Sequence, residues 1–66
     1  MKERYEPMKK LRAIRRAADI TQRQLAEKVG CTENAINGYE VGIHAPSLKM
    51  LYKLAAALGC EARDLI

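Results

Sequence analysis

The run from Thr21 to Glu40, Thr-Gln-Arg-Gln-Leu-Ala-Glu-Lys-Val-Gly-Cys-Thr-Glu-Asn-Ala-Ile-Asn-Gly-Tyr-Glu, leaves the chain few ways to fold. Thr21 followed three residues later by Gln24 is a capping box, which satisfies two backbone donors at a helix start. Leu25, Ala26 and Val29 then fall on one apolar face at helical spacing. Gly30 follows the last of them, where a left-handed stop is cheapest without a Cβ, and Thr32 is placed to cap a second helix. The chain therefore stops, turns and restarts within Gly30, Cys31 and Thr32. In the second helix Ile36 and Tyr39 face inward, which leaves Glu33, Asn34, Asn37 and Gly38 outward.

The flanking residues read as support for this pair. Residues 1 to 6 carry no periodic signal and are expected to form a flexible arm or lead-in, and Pro7 suits the first turn of a helix. Met8, Leu11, Ile14 and Ala18 recur at threes and fours opposite Lys9, Lys10, Arg12 and Arg16, so a first helix is expected with one apolar stripe and one basic face. Gly42 closes the third helix, and Ile43-His44-Ala45-Pro46 is a loop. Ser47 caps a fourth helix whose stripe of Leu48, Leu51, Leu54, Ala55 and Leu58 is the strongest in the chain, and Gly59 ends it. Residues 61 to 66 add one or two helical turns, with Leu65 folded inward.

Sixty-six residues make one domain, and a chain of this size buries only about 60% of its unfolded surface, so almost every Leu, Ile and Val must serve the core. The net charge of +4 and pI near 9.3 favour an anionic partner. No apolar run reaches the roughly 18 residues of a membrane span, and no signal-peptide core is present, which points to the cytosol. Cys31 and Cys60 are too few for a disulfide scaffold and read as half-buried apolar residues. His44 has no carboxylate or cysteine at a ligand spacing. With no glycine-rich phosphate loop, acid/base pair or nucleophile signature, the sequence reads as neither an enzyme nor a cofactor or metal protein. An outward polar helix beside a capped partner suits the DNA major groove.

In order and spacing, Leu11-Arg12-x-x-Arg15, Thr21-Gln22-x-x-Leu25-Ala26, Gly30-x-Thr32, Ile36-x-x-Tyr39-Glu40-x-Gly42, Pro46-Ser47-Leu48-x-x-Leu51 and Leu54-Ala55-x-Ala57-Leu58-Gly59 resemble the lambda-repressor-like family. These are the Cro and XRE-type helix-turn-helix domains of phage and bacterial repressors, and the resemblance covers about residues 8 to 66. It implies a five-helix all-α domain, prokaryotic or phage-encoded and nucleoid-associated, that binds double-stranded DNA. It implies that Gln22 touches phosphate, that the third helix lies in the major groove with Glu33, Asn34, Asn37 and Gly38 at the bases, and that Arg15 pairs with Glu40.

The chain departs from the family at Gly38, where relatives carry a long polar or basic side chain, and at Val41, Ile43 and His44, which replace cationic residues. Between Val29 and Leu48 there is no Lys or Arg. Phosphate contact is then expected from Arg12, Arg15, Arg23, His44, Lys49 and the amino ends of the second and fourth helices. Glu61 replaces the usual Ser or Thr before the last helix, which implies a weak cap there. A reader this small needs a symmetric partner, so a weak homodimer is expected through Ile43, Tyr52, Leu65 and Ile66. The other reading of the cation-poor segment is a protein-interaction module such as an antitoxin-like partner-binding domain.

Overall fold

The computed structural model describes residues 4–66, so Met1, Lys2 and Glu3 of the expected arm lie outside the described residues. Among the described residues there are four α-helices, α1 (Lys9–Ala17), α2 (Gln22–Val29), α3 (Glu33–Val41) and α4 (Leu48–Leu58), and no strand. The expected fifth helix is instead one turn of 3-10 helix, Ala62–Leu65. That tighter turn is enough to carry Leu65 from the surface into the core, where it is 0% exposed. Its start is capped by Asp64, whose carboxylate accepts from the Glu61 N–H at 2.9 Å, so the missing Ser or Thr is made good from within the turn.

Local chemistry sets each boundary. The Gln24 N–H donates to Thr21 Oγ1 at 3.0 Å and the Thr21 N–H to Gln24 Oε1 at 2.9 Å, completing the capping box. Thr32 and Ser47 accept from the N–H groups of Ala35 and Met50 at the starts of α3 and α4. The beginning of α1 differs: Pro7 lies two residues before its first residue, and the cap position, Met8, has no side-chain bond. Met8 instead donates its N–H to Tyr39 O at 3.2 Å, and Tyr5 donates to Gly42 O at 2.9 Å, which lays residues 5 to 8 along the end of α3. Gly42 is required twice over. Its φ is +91°, and a Cβ there would meet Tyr5 O at 2.5 Å and Pro7 N at 3.2 Å.

One fully buried large side chain comes from each element: Leu11, Leu25, Ile36, Leu54 and Leu65. Ala26, Val29 and Ala55 complete the cluster. With α2 packed on both α3 and α4, and the 3-10 turn closing α4 onto α1, these five residues meet at one centre. The α4 stripe is shorter than its spacing implies. Leu54 and Ala55 are buried and Leu51 and Leu58 half-buried, but Leu48 is 66% exposed because the first turn of α4 overhangs the core. Cys31 and Cys60 are free and half-buried at the core's edge, and burial pushes both thiols up, with the Asp64 charge adding to this at Cys60.

Between α1 and α2 the backbone turns at Asp19, the one described non-glycine residue with positive φ, +61°. The Asp19 N–H reaches Arg16 O at 3.0 Å and the Ile20 N–H reaches Arg15 O at 3.1 Å, the paired bonds of a left-handed helix stop. An aspartate tolerates this region better than most residues but still bears a steric cost from its Cβ. Asp19→Gly is expected to stabilise the domain by about 0.5 kcal/mol after the flexibility gained by the unfolded chain is subtracted, raising Tm by roughly 2–4 °C in a thermal melt.

Candidate nucleic-acid interface

The outward face of α3 is organised from beneath by a buried carboxylate. Glu40, in the last turn of α3, is 2% exposed, and α1 and α2 both donate to it. Arg15 of α1, 7% exposed, delivers Nε to Oε2 at 2.6 Å and Nη2 to Oε1 at 3.0 Å, a two-pronged contact that fits the planar guanidinium fork. The Nη1 of Arg15 donates to Ile20 O at 2.9 Å, tying the pair to the turn between α1 and α2. Arg12 adds Nε at 3.4 Å and Gln22, the first residue of α2, adds Nε2 at 2.9 Å, both to Oε1. Burial by itself would raise the Glu40 carboxyl. The hydrogen bonds from Arg15, Gln22 and Arg12, with the charge of Arg15, outweigh it and hold the group below its ordinary value. Among the described residues no buried side-chain polar atom is left without a partner.

The Arg15–Glu40 contact expected from the resemblance is therefore present, with Arg12 and Gln22 as further donors that the sequence did not indicate. The same geometry removes Arg15 from the phosphate contacts: it is buried, and its Nε, Nη1 and Nη2 all have protein acceptors. Gln22 is half-buried, and its amide nitrogen donates to Glu40 and, at 3.3 Å, to Asn37 Oδ1. A phosphate bond from that nitrogen requires one of the two to be given up. Its backbone N–H stays at the positive end of α2, where first-turn donors lack intrahelical acceptors.

Glu33, Asn34 and Asn37 are exposed on α3, as their spacing predicts. Gly38 is not. It is buried against the imidazole of His44: a Cβ built on Gly38 would collide with Cδ2 of that ring, with Cγ at 3.0 Å and Nε2 at 3.1 Å. The loop is held in place by the Gly38 carbonyl, which accepts from the N–H groups of Gly42, Ile43 and His44. Gly38 is thus a seat for the histidine and not an open base contact. No local pattern in the sequence announces this, because the ring arrives from six residues downstream. The only signal was a glycine inside a helix.

Cations lie at the rim. Arg12 keeps 42% of its side chain exposed, and Arg23 is exposed in the first turn of α2 beside Glu27, 3.7 Å away. Lys49 is exposed in the first turn of α4 and is joined to none of the α3 residues by a hydrogen bond or ion pair among the described residues. Of the expected dimer residues Ile43, Tyr52 and Ile66 are 52%, 60% and 70% exposed, whereas Leu65 is fully buried and cannot serve. Tyr5, which the periodicity did not single out, and Leu48, which it placed in the α4 stripe, are exposed as well.

Comparison with known proteins agrees with this arrangement. A family model described as Helix-turn-helix matches residues 11–65. An uncharacterized HTH-type transcriptional regulator of Methanothermobacter thermautotrophicus is 41% identical over 51 residues, covering 77% of this chain and 74% of the relative. Multiprotein-bridging factor 1 of Candida albicans is 40% identical over 55 residues, and the chain spans only 36% of that longer protein. Among solved structures, the restriction-modification controller protein C.AhdI from Aeromonas hydrophila superposes with a TM-score of 0.84 at 36% identity, covering 88% of each chain.

The buried pair has a thermodynamic signature. Arg15→Met or Glu40→Met strands the remaining partner and is expected to cost about 3–5 kcal/mol, whereas making both substitutions together costs much less than the sum, a coupling that urea unfolding of the four proteins measures. Because the folded Glu40 titrates below its ordinary value of 4.5, its contribution is complete above that pH and is lost as pH falls through the lower folded value. The wild type is therefore expected to lose stability between neutral pH and pH ~3 more steeply than the double variant.

Proposed function

Because the chain belongs to the helix-turn-helix family across residues 11–65, we propose that it is a sequence-specific DNA-binding transcriptional regulator that lays α3 in the major groove. The observation that carries this reading is the outward face of α3. Glu33, Asn34 and Asn37 stand exposed there, while Arg15 and Gln22 beneath α3 are bonded to Glu40. An amide can pair with both N6 and N7 of adenine, and a carboxylate can accept from the cytosine amino group, so these three side chains suit base edges. Arg12, Arg23, Lys49 and the first turns of α2 and α4 suit the phosphates on either side. The regulatory sense we propose is repression, through occupancy of an operator.

We further propose that it acts as a homodimer on a two-fold site. Ile43, Tyr52 and Ile66 are exposed and apolar, Leu48 lies one turn before Tyr52 on α4, and a groove of ≈ 630 Å³ runs beside Ile66 between Pro7, Met8, Pro46 and Leu51. One α3 reaches only a few base pairs, so a second copy half a site away supplies the specificity that one cannot. The interface is small, and DNA tightens it by raising the effective concentration of each subunit for the other. A second reading, a partner-binding module of the antitoxin kind, draws on exposed Ile43 and the Lys/Arg-free run from Val29 to Leu48.

Selection from randomised duplexes at moderate salt separates the two. A regulator enriches a defined site, and Asn34→Ala and Asn37→Ala each relax one of its positions, about 1–3 kcal/mol of discrimination apiece. Arg23→Ala weakens binding to all sequences alike and lowers the salt slope by about one. A partner module enriches nothing, and its retention vanishes with salt. For assembly, light scattering on the free and site-bound protein is expected to give a monomer–dimer equilibrium that becomes a clean two-subunit complex on DNA. One subunit on a site without two-fold symmetry sinks the dimer reading.

A further inference from the structure

We infer that His44 supplies the base-reading side chain that position 38 of the recognition helix lacks, so that a loop residue acts as part of the α3 reading face. This rests on the regulator reading proposed above and extends it to a residue outside the helix.

At 3.6 residues per turn, position 38 lies one turn beyond Asn34 and next to Asn37, on the outward side of α3. By its angle on the helix it belongs with the exposed row, yet it is buried, while Asn34 and Asn37 on the same face are exposed. What covers it is the imidazole of His44, which occupies the volume a side chain at position 38 would take. His44 itself is exposed. The ring therefore buries the glycine without being buried in turn, and its outer edge becomes the surface of α3 at that point.

The placement is braced. The Gly38 carbonyl takes the N–H of His44 at 3.2 Å as well as those of Ile43 and Gly42 at 2.9 Å, so the loop backbone is fixed to the same residue that its side chain covers. The Cδ2 edge of the ring, together with Cγ and Nε2, faces the glycine. Nδ1 is not among the ring atoms nearest the glycine and lies on the edge of the ring remote from it. An imidazole N–H there suits an acceptor on the major-groove edge, guanine O6 or a purine N7. Glycine at 38 is what makes room for the ring, which explains why a residue unfavourable in a helix interior by about 1 kcal/mol relative to Ala stands in the middle of α3.

The test is selection from randomised duplexes by the wild type, His44→Ala and Gly38→Ala, with affinities for the wild-type site. His44→Ala removes the ring, and Gly38→Ala displaces it while favouring the helix. Both are expected to lose the preference at one and the same base pair of each half-site, keep the preferences set by Asn34 and Asn37, and bind the original site about tenfold more weakly. Thermal melts are expected to leave His44→Ala near the wild type. Should Gly38→Ala fail to fold, His44→Ala decides alone. If His44→Ala enriches the wild-type site unchanged at every position, the assignment is overturned and the regulator reading stands. A wild type that enriches no sequence overturns both.

Discussion

A carboxylate taken out of water must be matched by donors or it is expelled, and in this domain the matching of Glu40 fixes where three helices sit. Two donors come from α1 and one from α2, while the acceptor lies at the end of α3, so none of these helices can slide without leaving a buried charge poorly paired. The apolar centre is composed of one large residue per element and would tolerate small rotations about itself. The directional bonds to Glu40 exclude them. With a core this small, hydrophobic burial holds the domain together and the buried ion pair sets the angle at which α3 is held out to solvent.

Gln22 links that scaffold to the surface. Its amide nitrogen is shared between Glu40 inside and Asn37 outside, so the orientation of an exposed amide is coupled to a buried carboxylate through one side chain. Asn37 Oδ1 accepts from Gln22, which leaves its amide nitrogen free of that contact as a donor. A neighbouring helix thereby restricts what a flexible surface residue can offer to a base edge.

The parts of this structure that were legible in the sequence are those decided within one or two helical turns. Thr21 with Gln24, Thr32, Ser47 and the glycines at positions 30, 42 and 59 act on their immediate neighbours, and the boundaries of α2, α3 and α4 follow from them. The misread parts depend on chain segments arriving from elsewhere. Leu48 fits the α4 stripe by spacing but overhangs the core, and Leu65, expected both to fold inward and to serve a dimer surface, does only the first. Arg15 carries the charge of a phosphate ligand, but its environment converts it into a structural cation. Gly38 was legible as an anomaly only, since its cause lies in the loop beyond α3.

The distribution of charge follows from the same economy. Glu40 uses up Arg15 and draws on Arg12, and the segment from Val29 to Leu48 has no Lys or Arg, so α3 carries no cation of its own. In the proposed complex, long-range attraction comes from the rim, from Arg23 and Lys49 and from the positive ends of α2 and α4, where it acts on any phosphate backbone alike. In the complex proposed above, discrimination falls to neutral amides, one carboxylate and the imidazole on Gly38, groups that gain little from general electrostatic attraction and much from correct hydrogen-bond geometry. Such a division would make the penalty for a wrong base large relative to the total affinity of the proposed complex.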